Sequence, residues 1–179
     1  DGHGVKTDEL EKLIAEHKPK FVYLIPTFGN PSGALMNAER RKQVLEMAVK
    51  HQTLIVEDDP YGDLYFGETP PPSLLALSST VPGSRELLVH CGSLSKVLSP
   101  GLRVGWMVAP AELLGKATMC KQFSDAHTST FAQATAAQYL LAGRMPATLD
   151  KVRAVYAQRA QTMGDALRRE LGGAVEFVQ

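Results

Sequence analysis

Apolar residues follow two rhythms along this chain. In residues 8–17 they recur at helical spacing: Leu10, Leu13 and Ile14 form a stripe, Thr7 stands at the N-cap position and Pro19 lies just beyond the end, so the pattern predicts a helix. Residues 38–51 predict a second helix, with Asn37 as cap, Val44, Leu45, Ala48 and Val49 on one face, and Glu46 and Lys50 spaced as an i,i+4 ion pair. Between them Phe21-Val22-Tyr23-Leu24-Ile25 is an unbroken apolar run, the signature of a strand buried on both faces. Leu54-Ile55-Val56 reads as a second strand, residues 87–91 as a third and 104–109 as a fourth. Residues 26–33, rich in Pro, Gly and Asn, form a loop; residues 67–85 are mostly loop, with one short helix around 73–77. Beyond Pro110 the rhythm is helical throughout, over 111–124, 130–142 and 146–171. Pro146 suits the first turn of the last helix and Gly172-Gly173 its end. Residues 174–178 read as the start of a further strand.

Strands alternating with helices predict an α/β fold with a mainly parallel sheet sandwiched by helices. In such sheets ligands gather at the carboxyl ends of the strands. Length and a 44% apolar content suit one domain with a buried core. Nineteen basic residues balance nineteen acidic ones, so charge gives no reason to expect nucleic acid or an anionic membrane as partner. No apolar run approaches the roughly 18 residues that span a bilayer, and the opening residues are not expected to act as a signal peptide. Cys91 and Cys120, the only cysteines, fit reduced thiols in a cytoplasmic protein. The chain begins at Asp1, and the natural N-terminus is expected upstream.

Chemistry concentrates at the predicted strand ends. In Ser93-Leu94-Ser95-Lys96, with Arg103 seven residues after the lysine, an amine, two hydroxyls and a guanidinium stand together. That set suits a phosphorylated aldehyde: Lys96 forms a Schiff base and later moves a proton from the substrate Cα, while Ser93, Ser95 and Arg103 hold the phosphate. Asn30-Pro31-Ser32-Gly33 follows the first strand and fixes Asn30 as a donor to a phenolic oxygen or a carboxylate. Asp58-Asp59-Pro60-Tyr61 ends the second strand. A carboxylate beside a pyridine nitrogen keeps that ring protonated, and Tyr61 can donate to a ring oxygen. The sequence leaves open which aspartate faces inward; Asp58 is the favoured one. Each segment alone also suits a plainer role, as turn, cap or surface lysine, but their joint order does not. His51, His90 and His127 lack metal-ligand spacing and read as structural or surface residues, while Trp106, Met107 and Phe123 read as core.

The segments PTFGNPSG, IVEDDPYGDLYF and GSLSKVLSPGLRVGW resemble the fold-type I pyridoxal-phosphate aminotransferases of class I/II. Within that group the EDDPY and SxSK-x6-R spacing is most similar to the branch containing 2-aminoadipate and kynurenine aminotransferases. The resemblance implies pyridoxal 5'-phosphate as cofactor, with Asn30 and Tyr61 at its 3-oxygen, Asp58 at the ring nitrogen, Lys96 at the aldehyde, and Ser93, Ser95 and Arg103 at the phosphate. It implies amino-acid and 2-oxo-acid substrates exchanged by ping-pong half-reactions, and a homodimer with active sites at the subunit interface. It further implies that residues 1–145 are part of the large cofactor domain, incomplete at both ends, and that 146–179 are a connecting helix and the start of a small domain. The family's upstream phosphate loop and its C-terminal substrate-carboxylate arginine have no counterpart here, so the fragment alone is expected to be inactive. Two alternatives share these motifs. The MocR-type transcriptional regulators carry an aminotransferase-like effector domain behind a DNA-binding winged helix. The β-lyases of the same fold tend to have a bulky aromatic shortly after the Asn-Pro-x-Gly turn, where this chain has Ala34-Leu35-Met36.

Overall fold

The computed structural model describes residues 1–177. Four strands form one sheet in the order β1 (Phe21–Leu24), β2 (Leu54–Asp58), β3 (Leu88–Ser93), β4 (Gly105–Val108). The first three are parallel and β4 runs antiparallel to β3. Six α-helices accompany them: α1 (Thr7–His17), α2 (Ala38–His51), α3 (Leu74–Leu77), α4 (Ala111–Asp125), α5 (Thr130–Leu141) and α6 (Met145–Leu171). Helix α2 makes the crossover from β1 to β2 that parallel pairing demands.

Local chemistry sets most of these limits. Asn37 Oδ1 accepts from the Arg40 N–H at 2.8 Å and starts α2, while Lys50 and His51 in its last turn favour the carbonyl end. The αL residues Lys18 (φ 46°) and Gln52 (φ 50°) stop α1 and α2, each turning its N–H back onto the preceding turn. Helix α1 starts one residue earlier than the stripe predicts. Thr7 is its first residue rather than its cap, and the Thr7 hydroxyl donates to Gln43 Oε1 on α2 at 2.8 Å.

Leu10 and Ile14 of α1, Val44, Leu45 and Ala48 of α2, Leu74 of α3, Ile55 of β2 and Leu88 of β3 form the main core. Phe21 and Tyr23 point away from it and stay half exposed, so β1 is not buried on both faces as its apolar run predicts. The expected Glu46–Lys50 pair is replaced by Lys42–Glu46 at 3.6 Å and by a tertiary contact, Lys50–Glu11 at 2.7 Å. Trp106, Met107 and Phe123, expected in the core, are 48%, 43% and 83% exposed. At the C-terminal end, residues 172–174 form a 3-10 turn and 175–177 are irregular; Val178, the last residue of the expected strand, lies outside the described residues. Among the described residues no helix is long and apolar enough to cross a membrane.

Candidate active site

Alternation along each strand sorts the carboxyl ends of β1, β2 and β3 onto two faces. Val22, Ile55 and Leu88 join the core, and Glu57 and His90, register partners on β2 and β3, share that side. Tyr23, Asp58, Cys91 and Ser93 take the other side; Tyr23 pairs with Val56, two residues before Asp58, and Asp58 pairs with Cys91. The two aspartates therefore diverge. Asp58, the last residue of β2, projects on the open face, where Tyr23 Oη donates to Asp58 Oδ2. That bond, and burial after it, push the Tyr23 phenol up to about 12. Asp59 turns inward. Its N–H donates to the Cys91 carbonyl at 2.9 Å, its Oδ1 is buried without a hydrogen-bond partner, and burial raises its carboxyl above the usual range.

The core side of this end is held by two buried polar groups that the sequence did not single out. Glu57 is fully buried; its carboxylate accepts from Leu74 N–H at 2.6 Å, from Leu75 N–H at 3.1 Å and from His90 Nδ1 at 2.7 Å. It thereby caps α3 and joins β2 to β3. The hydrogen bond to Glu57 raises the His90 pKa against the opposing effect of burial. Arg41 of α2, also fully buried, donates to the Met36 carbonyl (2.8 Å), the Pro26 carbonyl (3.1 Å), Thr27 Oγ1 (2.9 Å) and the Pro72 carbonyl (3.2 Å). This guanidinium closes the base of the loop that carries Asn30. Within that loop Gly33 N–H donates to the Gly29 carbonyl and Ala34 N–H to Ser32 Oγ, and the Asn30–Pro31 peptide is cis.

Beyond β3 the chain makes one turn whose buried members, Leu94 and Val97, lie three apart and anchor it on Ala136 of α5. The same turn leaves Lys96 outward. Ser95 N–H donates to Ser93 Oγ at 3.1 Å, and Arg103 Nη1 reaches Ser95 Oγ and the Pro100 carbonyl, both at 3.3 Å. Arg103 sits at φ 53°, an uncommon conformation for a residue with a Cβ. Neither Lys96 nor Arg103 is paired with a carboxylate among the described residues. Trp106 lies where a Cβ on residue 92 would sit, 2.2 Å from its Cζ2, so only glycine lets β4 close over the strand that leads to the lysine.

Lys96 and Tyr61 open into one cleft of about 590 Å³, walled by Phe28, Tyr65 and Phe66 and by Tyr156 and Arg159 of α6. Arg153 ties α6 to the loop after Tyr61, stacking over the Tyr65 ring at 4.0 Å and donating to the Asp63 carbonyl at 2.8 Å. The structure thus joins Ser93, Ser95 and Arg103 by hydrogen bonds, and Tyr61 and Lys96 by a shared cleft. Asn30 lies on the 28–33 turn that borders the cleft, with no hydrogen bond to the other six. His51 bonds Glu11 and His127 the Thr128 carbonyl; no group of metal-ligating side chains occurs among the described residues.

A sequence model of the family described as aminotransferase class I and II matches residues 1–177. The chain belongs to that family. It is 42% identical over 178 residues to the 2-aminoadipate transaminase of Thermus thermophilus, covering 98% of this chain and 44% of that protein. It is also 34% identical over 172 residues to an uncharacterized HTH-type transcriptional regulator of Bacillus subtilis, covering 96% of this chain and 34% of that protein. Among solved structures it is similar to the α-aminoadipate aminotransferase of Thermus thermophilus, complexed with N-(5'-phosphopyridoxyl)-L-leucine. That match has a TM-score of 0.89 and 41% identity, and covers 96% of this chain and 43% of the other. The chain spans less than half the length of the relatives it matches. This class I/II aminotransferase chain therefore presents an amine, two hydroxyls, a guanidinium and an outward carboxylate around one sheet end. That donor and acceptor set is complementary to an aldehyde, a phosphate dianion and a protonated ring nitrogen.

Proposed function

We propose that the protein carrying this chain is a pyridoxal-phosphate-dependent aminotransferase that moves an amino group between an α-amino acid and a 2-oxo acid by a ping-pong mechanism. The observation that carries the reading is the convergence on one open sheet end of Asp58, Lys96 and the Ser93–Ser95–Arg103 set, in a chain of the class I and II family. When bound, pyridoxal phosphate supplies an electron sink for the pair left when the substrate Cα–H bond breaks. The protein groups divide the remaining work. Ser93, Ser95 and Arg103 bind the phosphate, and Asp58 holds the ring nitrogen in its protonated state. Asn30 and Tyr61 donate to the 3-oxygen. Lys96 Nζ anchors the aldehyde and, once displaced by substrate, takes the proton from Cα as general base. The cleft beside Lys96 admits the substrate side chain. Residues 1–145 are the cofactor-binding part, and α6 leads into a second domain of a homodimeric enzyme.

The test uses the full-length protein. It is expected to bind pyridoxal phosphate with a visible absorption band that an amino donor shifts, and Lys96→Ala is expected to abolish both the shift and transfer. Full-length protein that binds no pyridoxal phosphate refutes the reading. A second reading, the effector domain of a MocR-type regulator, is favoured by the match to the Bacillus subtilis HTH-type regulator over 96% of this chain. A winged helix encoded upstream, with cofactor-dependent DNA binding and no transfer across a panel of donors and acceptors, would decide for it.

A further inference from the structure

The sequence assigns no role to Tyr23, yet among the described residues it makes the one hydrogen bond on the Asp58 carboxylate. Strand geometry creates the contact. Tyr23 lies opposite Val56, so its phenol reaches diagonally across the β1–β2 pair to the residue two places on, on the same face. The bond contributes little to the core: Tyr23 is 53% exposed, on a strand paired on one side only, with its ring turned away from the buried cluster.

The surroundings define what such a bond does. Asp58 has no ion pair among the described residues, and Cys91, its register partner on β3, shares its face of the sheet with Tyr23. A cationic partner would cancel the carboxylate's charge and compete with a protonated ring nitrogen. A neutral hydroxyl fills one oxygen of the carboxylate and brings no opposite charge beside it. We propose that Tyr23 is a positioning residue: its hydroxyl occupies Asp58 Oδ2, fixes the orientation of that carboxylate and leaves Oδ1 to face the ring nitrogen of pyridoxal phosphate. The inference rests on the aminotransferase reading above.

The experiment compares the full-length holoenzyme with Tyr23→Phe, Asp58→Asn and the double variant. It measures melting temperature, cofactor affinity, the pH titration of the bound cofactor's absorption, and kcat and KM. Tyr23→Phe is expected to melt within a few degrees of the parent and to weaken cofactor binding about threefold to tenfold. It should shift the titration midpoint by about half a pH unit or more, and lower kcat about tenfold with KM nearly unchanged. Asp58→Asn should have the larger effect on each measure. Because Tyr23 acts through Asp58, Tyr23→Phe added to Asp58→Asn should change each by less than about twofold. An unchanged titration midpoint and kcat in Tyr23→Phe overturns the inference, and so do independent effects in the double variant. Loss of folded protein in Tyr23→Phe also overturns it, by making Tyr23 part of the framework. A parent that binds no pyridoxal phosphate removes the aminotransferase reading itself, a result distinct from a Phe variant that matches an active parent.

Discussion

Up to β3, apolar side chains on α1, α2 and α3 close over one sheet face, and Val44, Leu45, Ala48, Ile55 and Leu74 lose all exposure. From Ala111 onward comparable side chains form helices without such a cover: α4 has no buried residue, and Phe123, Phe131 and Leu141 are 83%, 81% and 80% exposed. Helix formation and core formation are thus separate events in this chain. The amphipathic stripe of α2 says both that it is a helix and where it packs. The apolar residues of α4 and α5 spread around the helix, the pattern of elements enclosed on several sides in a larger assembly. The later helices are anchored by the Leu94–Val97–Ala136 cluster, which fastens α5 to the Lys96 turn, and by Arg153 of α6 on Tyr65 and the Asp63 carbonyl.

The contrast can be tested by substitution and urea unfolding, beginning with the largest effect. Glu57→Ala should cost about 4 kcal/mol, because it strands His90 and two α3 amides in the core. A cost near zero would mean that this sheet end is not held from the core side. Leu45→Ala should cost about 3 kcal/mol by leaving a cavity, whereas Phe123→Ala in the 179-residue chain should stay within about 0.5 kcal/mol; equal costs would erase the distinction between the halves. Asp59→Asn should stabilise by up to about 1 kcal/mol at neutral pH, a figure discounted for the part of Asp59 that solvent reaches. The sign follows from its raised carboxyl pKa, which favours the protonated folded state. The stabilising effect of Asn is therefore largest at neutral pH, and it shrinks as pH falls through the raised value toward 3.8. The smallest effect is at Tyr23. Its raised phenol adds stability below its ordinary value of 10 and loses it as pH rises through about 12, so one late-ionising tyrosine should vanish from the ultraviolet titration of Tyr23→Phe.

Much of the framework is readable from local pattern. Asn37 caps α2 and Pro146 lies in the first turn of α6, as sequence rules place them, because each acts on its own neighbours. The failures are tertiary. Lys50 turned from Glu46 to Glu11 once α1 and α2 were adjacent, and Thr7 gave its hydroxyl to Gln43 for the same reason. The apolar run of β1 concealed that its second face lies open beside Asp58. The serine–lysine–arginine segment was legible because its members lie within eleven residues of one another. Tyr23 was not, since its partner depends on the register of two strands, and Arg41, in a run of charged residues, gave no sign of being the most deeply held side chain of α2.

Arg41 has a consequence for the order of folding. Its acceptors come from residues 26–27, 36 and 72, which meet only after α2 has docked on the sheet and the segment before α3 has returned. The clamp under the Asn30 loop is therefore expected to form late, on the native side of the folding barrier. A change there such as Arg41→Lys should quicken unfolding while hardly slowing refolding, which stopped-flow measurements would show. The segment that completes the ligand-facing rim would be the last to arrive and the first to leave.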